Sequence, residues 1–317
     1  MNVGGYGECR GQCAAAVEKV WTVDDYRLDL TLSCGQVFRW QYRGHRWLGV
    51  IQGCRVELEQ EGRLLRARVI GLEPSLSVVE EYLQVQLDFA EVVRSFPADP
   101  ALHGAVQRWR GLRLLRQPFW ECLASFILSS NKRIEQIRQV IERICQRWGD
   151  MVVAPAGAEP VWSFPGPERI AALDERELRQ CGMGFRAAYL RAAARMVLQL
   201  GWADTGPPER SYLAARERLM TLPGVGPKIA DCVCLFALGF YEAFPVDTWV
   251  ARVIRERYRW MGRISPEVIA TRARHYFGPF AGYAQQYLFH DRRMQAKRDN
   301  GLPQHASFSD RLILPAL

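Results

Sequence analysis

The sequence predicts an α+β protein, with an N-terminal antiparallel β-sheet and its helices packed on a mostly α-helical body. Three observations carry that prediction. Residues 21–69 alternate apolar and polar side chains on a short period. From residue 119 onward apolar positions recur at helical spacing. Glycine-containing turn pairs separate the first set of runs, whereas Pro/Gly-rich connectors separate the second.

The first 16 residues are Gly-rich, lack periodicity and are expected to be disordered. The runs "YRLDLTLS", "FRWQYRGHRWLGVI" and "CRVELEQEGRLLRARVI" then read as an antiparallel meander. Its turns fall at Arg43-Gly44, Gln52-Gly53 and Glu61-Gly62. Helical spacing takes over in "SLSVVEEYLQVQLDFAEVVRSF" and around Leu102 to Trp109.

In "ECLASFILSSNKRIEQIRQVIERICQRWG", Ile134, Ile137, Val140, Ile141 and Ile144 make one apolar stripe. Ser129, Ser130 and Asn131 interrupt it, predicting two helices joined at a polar corner. Connectors follow at "APAGAEP" and "FPGPE", and Asp174 and Glu177 stand at capping-box spacing. "GMGFRAAYLRAAARMVLQL" predicts another helix and "WADTGPPERS" a loop. The chain thus divides into a disordered start to residue 16, an α+β unit over 17–118, a helical body over 119–300 and a less patterned tail over 301–317.

Composition narrows the function classes. A chain of 317 residues, 49% hydrophobic and 24% charged, is ordinary for a globular protein with a substantial core. It has no apolar run of about eighteen residues, so a membrane span is not expected. "MNVGGYGECRGQCAAAVEK" carries an acid and no apolar stretch, unlike a signal peptide. A net charge of +8 and a pI of about 9.1 favour an anionic partner. Charge alone does not choose between nucleic acid, an anionic membrane and a phosphorylated small molecule.

The nine cysteines are an odd, scattered set, which predicts free thiols in a reducing cytoplasm. Cys9 and Cys13 have no second pair at finger-like spacing, and no cysteine follows Cys234. No metal or iron–sulfur site is therefore expected from the cysteines.

The chemistry concentrates in "LPGVGPKIADCVCLFALG", Leu222 to Gly239. Helical patterns flank Pro-Gly-Val-Gly-Pro, so the stretch reads as helix, tight hairpin, helix. Gly224 and Gly226 permit positive φ and close approach of a ligand to the backbone around Val225. Pro227 suits the first helical position, where its missing N–H is not needed. The free N–H groups of such a hairpin can grip one phosphate without reading base sequence. A plain helical turn explains the same letters.

Lys228 stands at the first turn of that second helix, where the helix field opposes a cation. The chain holds only four lysines (Lys19, Lys132, Lys228 and Lys297) among its 42 basic residues. Arginine would serve charge equally well, but only lysine can release a neutral amine that forms a Schiff base. A surface lysine that pairs with phosphate is the alternative explanation. In "FPVDTWVARVIRERY", Asp247 is placed to N-cap a helix whose Val250, Val253 and Ile254 share one side. Capping suffices for Asp247 alone; a carboxylate held beside an amine is what the two residues suggest together.

Taken as a whole, "LPGVGPKIADCVCLFALGFYEAFPVDTW" resembles the helix-hairpin-helix, Gly/Pro-rich loop, Asp superfamily of base-excision DNA glycosylases. Within it the chain resembles the 8-oxoguanine DNA glycosylase/AP lyase family. "LDLTLSCGQVFRW", "ECLASFILSSN", "GMGFRAAYL" and "AGYAQQYLF" resemble four further signatures in the same order, so the likeness covers roughly residues 20–295.

The resemblance implies an antiparallel sheet with helices on a helical glycosylase body, with damaged double-stranded DNA held across the cleft. A nucleotide carrying 7,8-dihydro-8-oxoguanine is extruded from the stack into a pocket. Lys228 is then the nucleophile at the sugar C1′, and its Schiff base permits β-elimination at the abasic site. Asp247 stabilises the positive transition state and orients the amine, and chemistry of this kind requires neither a metal nor an organic cofactor.

By the same resemblance Gly35 would accept the N7–H of the oxidised base through its carbonyl, although a turn glycine explains it too, and both can be true. Cys232 and Phe289 sandwich the base, Phe236 lines the pocket on the lysine side, and Gln285 bonds the Watson–Crick edge. Read without the family, these four are a core thiol, two core aromatics and a solvated amide. The resemblance also implies that Asn131, which by itself could equally be a helix cap, fills the vacated stack and, with Arg186, reads the opposite cytosine, while Phe185 is the wedge that kinks the duplex. Gly224, Val225 and Gly226 grip phosphate.

Two positions depart from the family pattern. Gln136 stands where an arginine is common, which relaxes the expected preference for cytosine. Trp249 replaces a phosphate-contacting histidine, and its indole N–H can still donate. Competing readings are an alkylated-base glycosylase, which needs no hairpin lysine, and a non-catalytic DNA-binding module. The segment "DRRMQAKR", Asp291 to Arg298, fits either a DNA-backbone contact or a solvated helix end. A monomer is expected, without a membrane partner, in the cytoplasm, at the nucleoid or in the nucleus according to the host cell.

Overall fold

The computed structural model describes residues 15–130, 132–258 and 264–299. Five strands form one antiparallel sheet: β1 (Ala15–Thr22), β2 (Gln41–Arg43), β3 (Arg46–Ile51), β4 (Cys54–Glu61) and β5 (Leu64–Gly71). Strands β2 to β5 are a meander, and β1 adds to its far edge beside β5, giving the order β1-β5-β4-β3-β2. Its register pairs Val17 with Val69, Val56 with Val69 and Gly49 with Val56. All three anticipated turns sit between the paired strands.

Two expectations need correction. The strand begins at Ala15, inside the segment expected to be disordered. Only Trp21 of β1 is buried, so this edge strand shows no alternation and is held mainly by backbone pairing. "YRLDLTLS" was expected as strand, yet Leu28–Ser33 is helix α1. Its alternating leucines have a different cause. Leu28 and Leu32 face the sheet core, whereas Leu30 joins the core of the helical body, so α1 is buried on two sides.

Helices α2 (Leu76–Leu83), α3 (Phe89–Arg94) and α4 (Pro100–Arg108) follow. Gln84, with φ +53°, ends α2, and Asp88 caps α3 by accepting from the Ala90 N–H at 2.8 Å. The body then comprises α5 (Phe119–Ser129), α6 (Ile134–Trp148), α7 (Pro167–Ala172), α8 (Glu175–Leu178) and α9 (Arg186–Gln199). It continues with α10 (Tyr212–Met220), α11 (Pro227–Val233), α12 (Thr248–Arg257), α13 (Pro266–Phe277) and α14 (Ala281–Asp299). π-helical turns lead into α9 over Arg179–Met183 and extend α11 over Cys234–Leu238.

Helix α5 is mostly apolar and, apart from the half-buried Glu121 that pairs with Arg39, is buried from Phe119 to Leu128, which makes it the central rod of the body. The polar corner after it is present, between Ser129 and Ile134. A buried network ties the two hairpin helices to α13. Asp231 accepts from the Tyr212 hydroxyl and the Arg216 Nε, each at 2.7 Å, and Arg216 also donates to Glu267 at 2.7 and 2.8 Å. Among the described residues no helix is long and apolar enough to cross a membrane.

Candidate active site

The α10–α11 connection is a tight hairpin closed by the Val225 N–H donating to the Leu222 carbonyl at 3.1 Å. Gly224 has φ +78°, and a Cβ there would lie 2.6 Å from Tyr189 Cβ on α9. Glycine is therefore required by conformation and by packing. Gly226 is different: it is extended, at φ −95° and ψ −179°, and a Cβ would meet nothing within 4 Å. Pro227 occupies the first helical position, and no side chain caps the helix start. The bare backbone at Gly226 thus faces open space in the cleft.

That cleft has a volume of about 1510 Å3 and is walled by the loop after α1, the α5–α6 corner, the hairpin, the start of α12 and α14. Lys228 and Asp247 both line it. The Lys228 Nζ donates to the Ser129 Oγ at 3.5 Å and lies 4.9 Å from the centre of the Phe126 ring. Ser129 and Phe126 are one turn apart on α5, and the Ser129 hydroxyl donates to the Phe126 carbonyl at 2.7 Å. Its lone pairs are thereby left for the amine.

Asp247 is the N-cap of α12 and accepts from the Val250 N–H at 2.8 Å. Burial pushes its carboxyl above the ordinary carboxylate value, against the opposing pull of that N–H and of the Lys228 charge. Cys232, one turn after Lys228, is buried, and its thiol is pushed up to about 11 by burial, opposed by the same amine. The lysine side chain is therefore set among a hydroxyl, an aromatic face, a thiol and a carboxylate.

Gly35, Phe289 and Arg293 line the cleft together, and Phe38 packs edge-on against Phe126 at 5.9 Å beside the lysine. Phe236 stands behind Phe126, its ring stacked at 5.6 Å and 12°, so Phe126 forms the apolar face that the sequence led one to seek at Phe236. Cys232 and Gln285 are also set back from the open cleft. Gln285 is buried, and its Oε1 makes no hydrogen bond to the described residues.

Trp249 and Gln136 line the rim. The Gln136 Oε1 accepts from the Arg133 N–H at 3.0 Å and so caps α6. Lys132, Arg133, Arg252, Arg255 and Lys297 add cations to that rim, against Glu135 and Glu256. Phe185 lies outside the cleft, exposed, packed edge-on against Tyr189 at 6.1 Å and covered by the Arg186 guanidinium at 4.4 Å. Arg186 donates to the Ser130 carbonyl, tying α9 to the α5–α6 corner. Asn131 falls outside the described residues, as do Cys9 and Cys13.

Sequence reasoning missed Phe38, Phe126, Ser129 and Arg293 as wall residues. Phe126 and Ser129 carried a weak signal, because they stand three residues apart in "ECLASFILSSN" and share a helix face with the corner.

Residues 124–279 match the HhH-GPD superfamily base excision DNA repair proteins, which sets the class that this fold and hairpin define. Residues 20–123 match the 8-oxoguanine DNA glycosylase N-terminal domain, and the chain belongs to the 8-oxoguanine DNA glycosylase family. A probable N-glycosylase/DNA lyase of Methanothermobacter thermautotrophicus is 30% identical, over 87% of this chain and 96% of that protein. The N-glycosylase/DNA lyase of Arabidopsis thaliana is 31% identical, over 84% of this chain and 78% of its own length. The 8-oxoguanine glycosylase/lyase of Clostridium acetobutylicum, solved in its apo form, superimposes with a TM-score of 0.78 at 31% identity, covering 87% of this chain and 98% of that one.

Proposed function

We propose that the protein excises 7,8-dihydro-8-oxoguanine from duplex DNA through a lysine Schiff base and then cleaves the abasic strand by β-elimination. The observation that carries this reading is the meeting of Lys228 and Asp247 in one cleft, at the foot of a hairpin whose Gly226 backbone is open. The amine attacks C1′ as the oxidised base leaves, and the Asp247 carboxylate offsets the positive charge that develops on the sugar. The Schiff base then acidifies C2′, and loss of that proton expels the 3′ phosphate.

The surroundings support the substrate assignment. Gly35 and Phe289, side by side, offer a backbone edge and an aromatic face to the cleft that holds the amine. The unpartnered Gln285 Oε1 lies one helical turn before Phe289 on α14, suited to the Watson–Crick edge of an extruded base. With Cys232 stacked near the other face and Phe236 backing the wall, these residues make the base pocket. The cationic rim, Trp249 and the hairpin backbone of Gly224, Val225 and Gly226 hold phosphates. Phe185 enters the duplex as the wedge, and Asn131 and Arg186 face the opposite strand.

Double-stranded DNA is thus the partner, and the chain acts on it as a monomer, where the chromosome lies. The Clostridium acetobutylicum enzyme has also been solved with double-stranded DNA containing cytosine opposite 8-oxoguanine. In this chain Gln136 is committed to capping α6 instead of reaching an opposite base, which relaxes the preference for cytosine that the family pattern implies. The test is excision measured on duplexes with each of the four bases opposite the lesion. Cleavage of all four lesion duplexes, with cytosine favoured only modestly, is the expected result. No cleavage of any of them overturns the assignment.

A further inference from the structure

The loop after α1 is pinned by hydrogen bonds on both sides of one residue, Gly35. On one side, Gln36 is buried: its Nε2 donates to the Arg113 carbonyl at 2.8 Å, and its Oε1 accepts from the Leu115 N–H at 2.9 Å. On the other side, the Cys34 carbonyl accepts from the Arg293 Nη1 at 2.8 Å and, at 3.5 Å, from the Gln286 amide, both on α14. Between them Gly35 sits at φ +99°, and its own N–H and carbonyl make no hydrogen bond to the described residues. Its space is closed as well, since a Cβ there would lie 3.0 Å from Arg293 Nη1 and 3.6 Å from the Phe289 ring.

We infer that Arg293, assisted by Gln286, is a positioning residue for base recognition, acting through the Cys34 carbonyl to aim the Gly35 peptide into the cleft. The inference rests on the reading of Gly35 as the contact to the oxidised base. One end of the clamp is α14, the helix that also carries Gln285 and Phe289, so the peptide edge and the aromatic wall are held to a common frame. A glycine at positive φ has unusual freedom, and an edge that must meet one N–H of a base needs that freedom removed. Arginine suits the task because its planar fork can hold a carbonyl while its stem packs on the loop. "DRRMQAKR" is therefore neither a plain solvated end nor only a phosphate contact: Arg293 within it is turned inward.

An abasic site separates this role from general folding or DNA binding, because it presents the sugar without a base. Single-turnover cleavage of an 8-oxoguanine duplex and of a matched abasic duplex is measured for the parent, Arg293→Leu, Arg293→Lys and Gln286→Leu. Misaligned recognition predicts that Arg293→Leu loses about tenfold or more on the lesion duplex and stays within about twofold on the abasic duplex. Arg293→Lys recovers part of the loss, and Gln286→Leu, whose bond is the longer, loses less than Arg293→Leu. Equal losses on both duplexes, or no loss on either, overturn the inference. A parent protein that cleaves abasic DNA but leaves 8-oxoguanine in place overturns the reading of Gly35 itself.

Discussion

Lys228 and Ser129 meet across the packing of α11 on α5, with the amine 3.5 Å from the hydroxyl oxygen and above the Phe126 ring. The hydroxyl proton is already given to the Phe126 carbonyl, so Ser129 acts on the lysine as an acceptor. Replacing Ser129 by alanine removes that acceptor and leaves the helix intact. The rate of lysine–DNA cross-linking in Ser129→Ala should fall about three- to tenfold through loss of orientation, with the melting temperature little changed.

Asp247→Asn should separate stability from activity. Asparagine caps helices about as well as aspartate, so the bond from Val250 survives. Burial holds the native carboxyl above 3.8, so the folded state binds that proton more tightly than the unfolded one. Its contribution to stability is complete below 3.8 and is lost as pH rises through the higher folded value. At neutral pH the variant should therefore be at least as stable as the parent, as thermal denaturation will read. Excision should fall by about 10²–10³-fold with the charge gone. In the parent, the acid limb of the pH–rate profile should lie above the ordinary value of an aspartate.

The two hairpin glycines should respond differently. Gly224→Ala forces a side chain into positive φ and against Tyr189, and should cost about 1–3 kcal/mol in chemical denaturation. Gly226→Ala has neither problem and should change stability by no more than about 0.5 kcal/mol. If phosphate approaches the bare backbone there, Gly226→Ala should nevertheless weaken binding to duplex DNA, measured by fluorescence anisotropy.

Phe185 is 55% exposed, an unusual position for a large aromatic ring. Phe185→Ala should leave the melting temperature unchanged within about 0.5 kcal/mol of stability. Duplex bending, read by energy transfer between end labels, should decrease if the ring enters the stack.

The sequence made the helical body legible where one face is buried. The stripe of α6, the cap at Asp174 and the break after Ser129 all follow from local pattern. It misled where burial is two-sided or absent: α1 alternates because two cores claim its leucines, and β1 shows no pattern because it is an exposed edge. The same division holds at the site. Lys228 and Asp247 were readable because a hairpin and a cap are local devices. Phe38 and Arg293 became wall residues only because α1 and α14, far apart in the chain, meet at Gly35. Periodicity holds no record of such a contact.

The most direct test is borohydride reduction during incubation with an 8-oxoguanine duplex, followed by mass mapping of the cross-linked peptide. The account predicts a covalent protein–DNA adduct at Lys228, absent from Lys228→Gln and from the still-cationic Lys228→Arg, with both variants binding the duplex. An adduct on another residue, or strand cleavage that persists in Lys228→Gln, would contradict it.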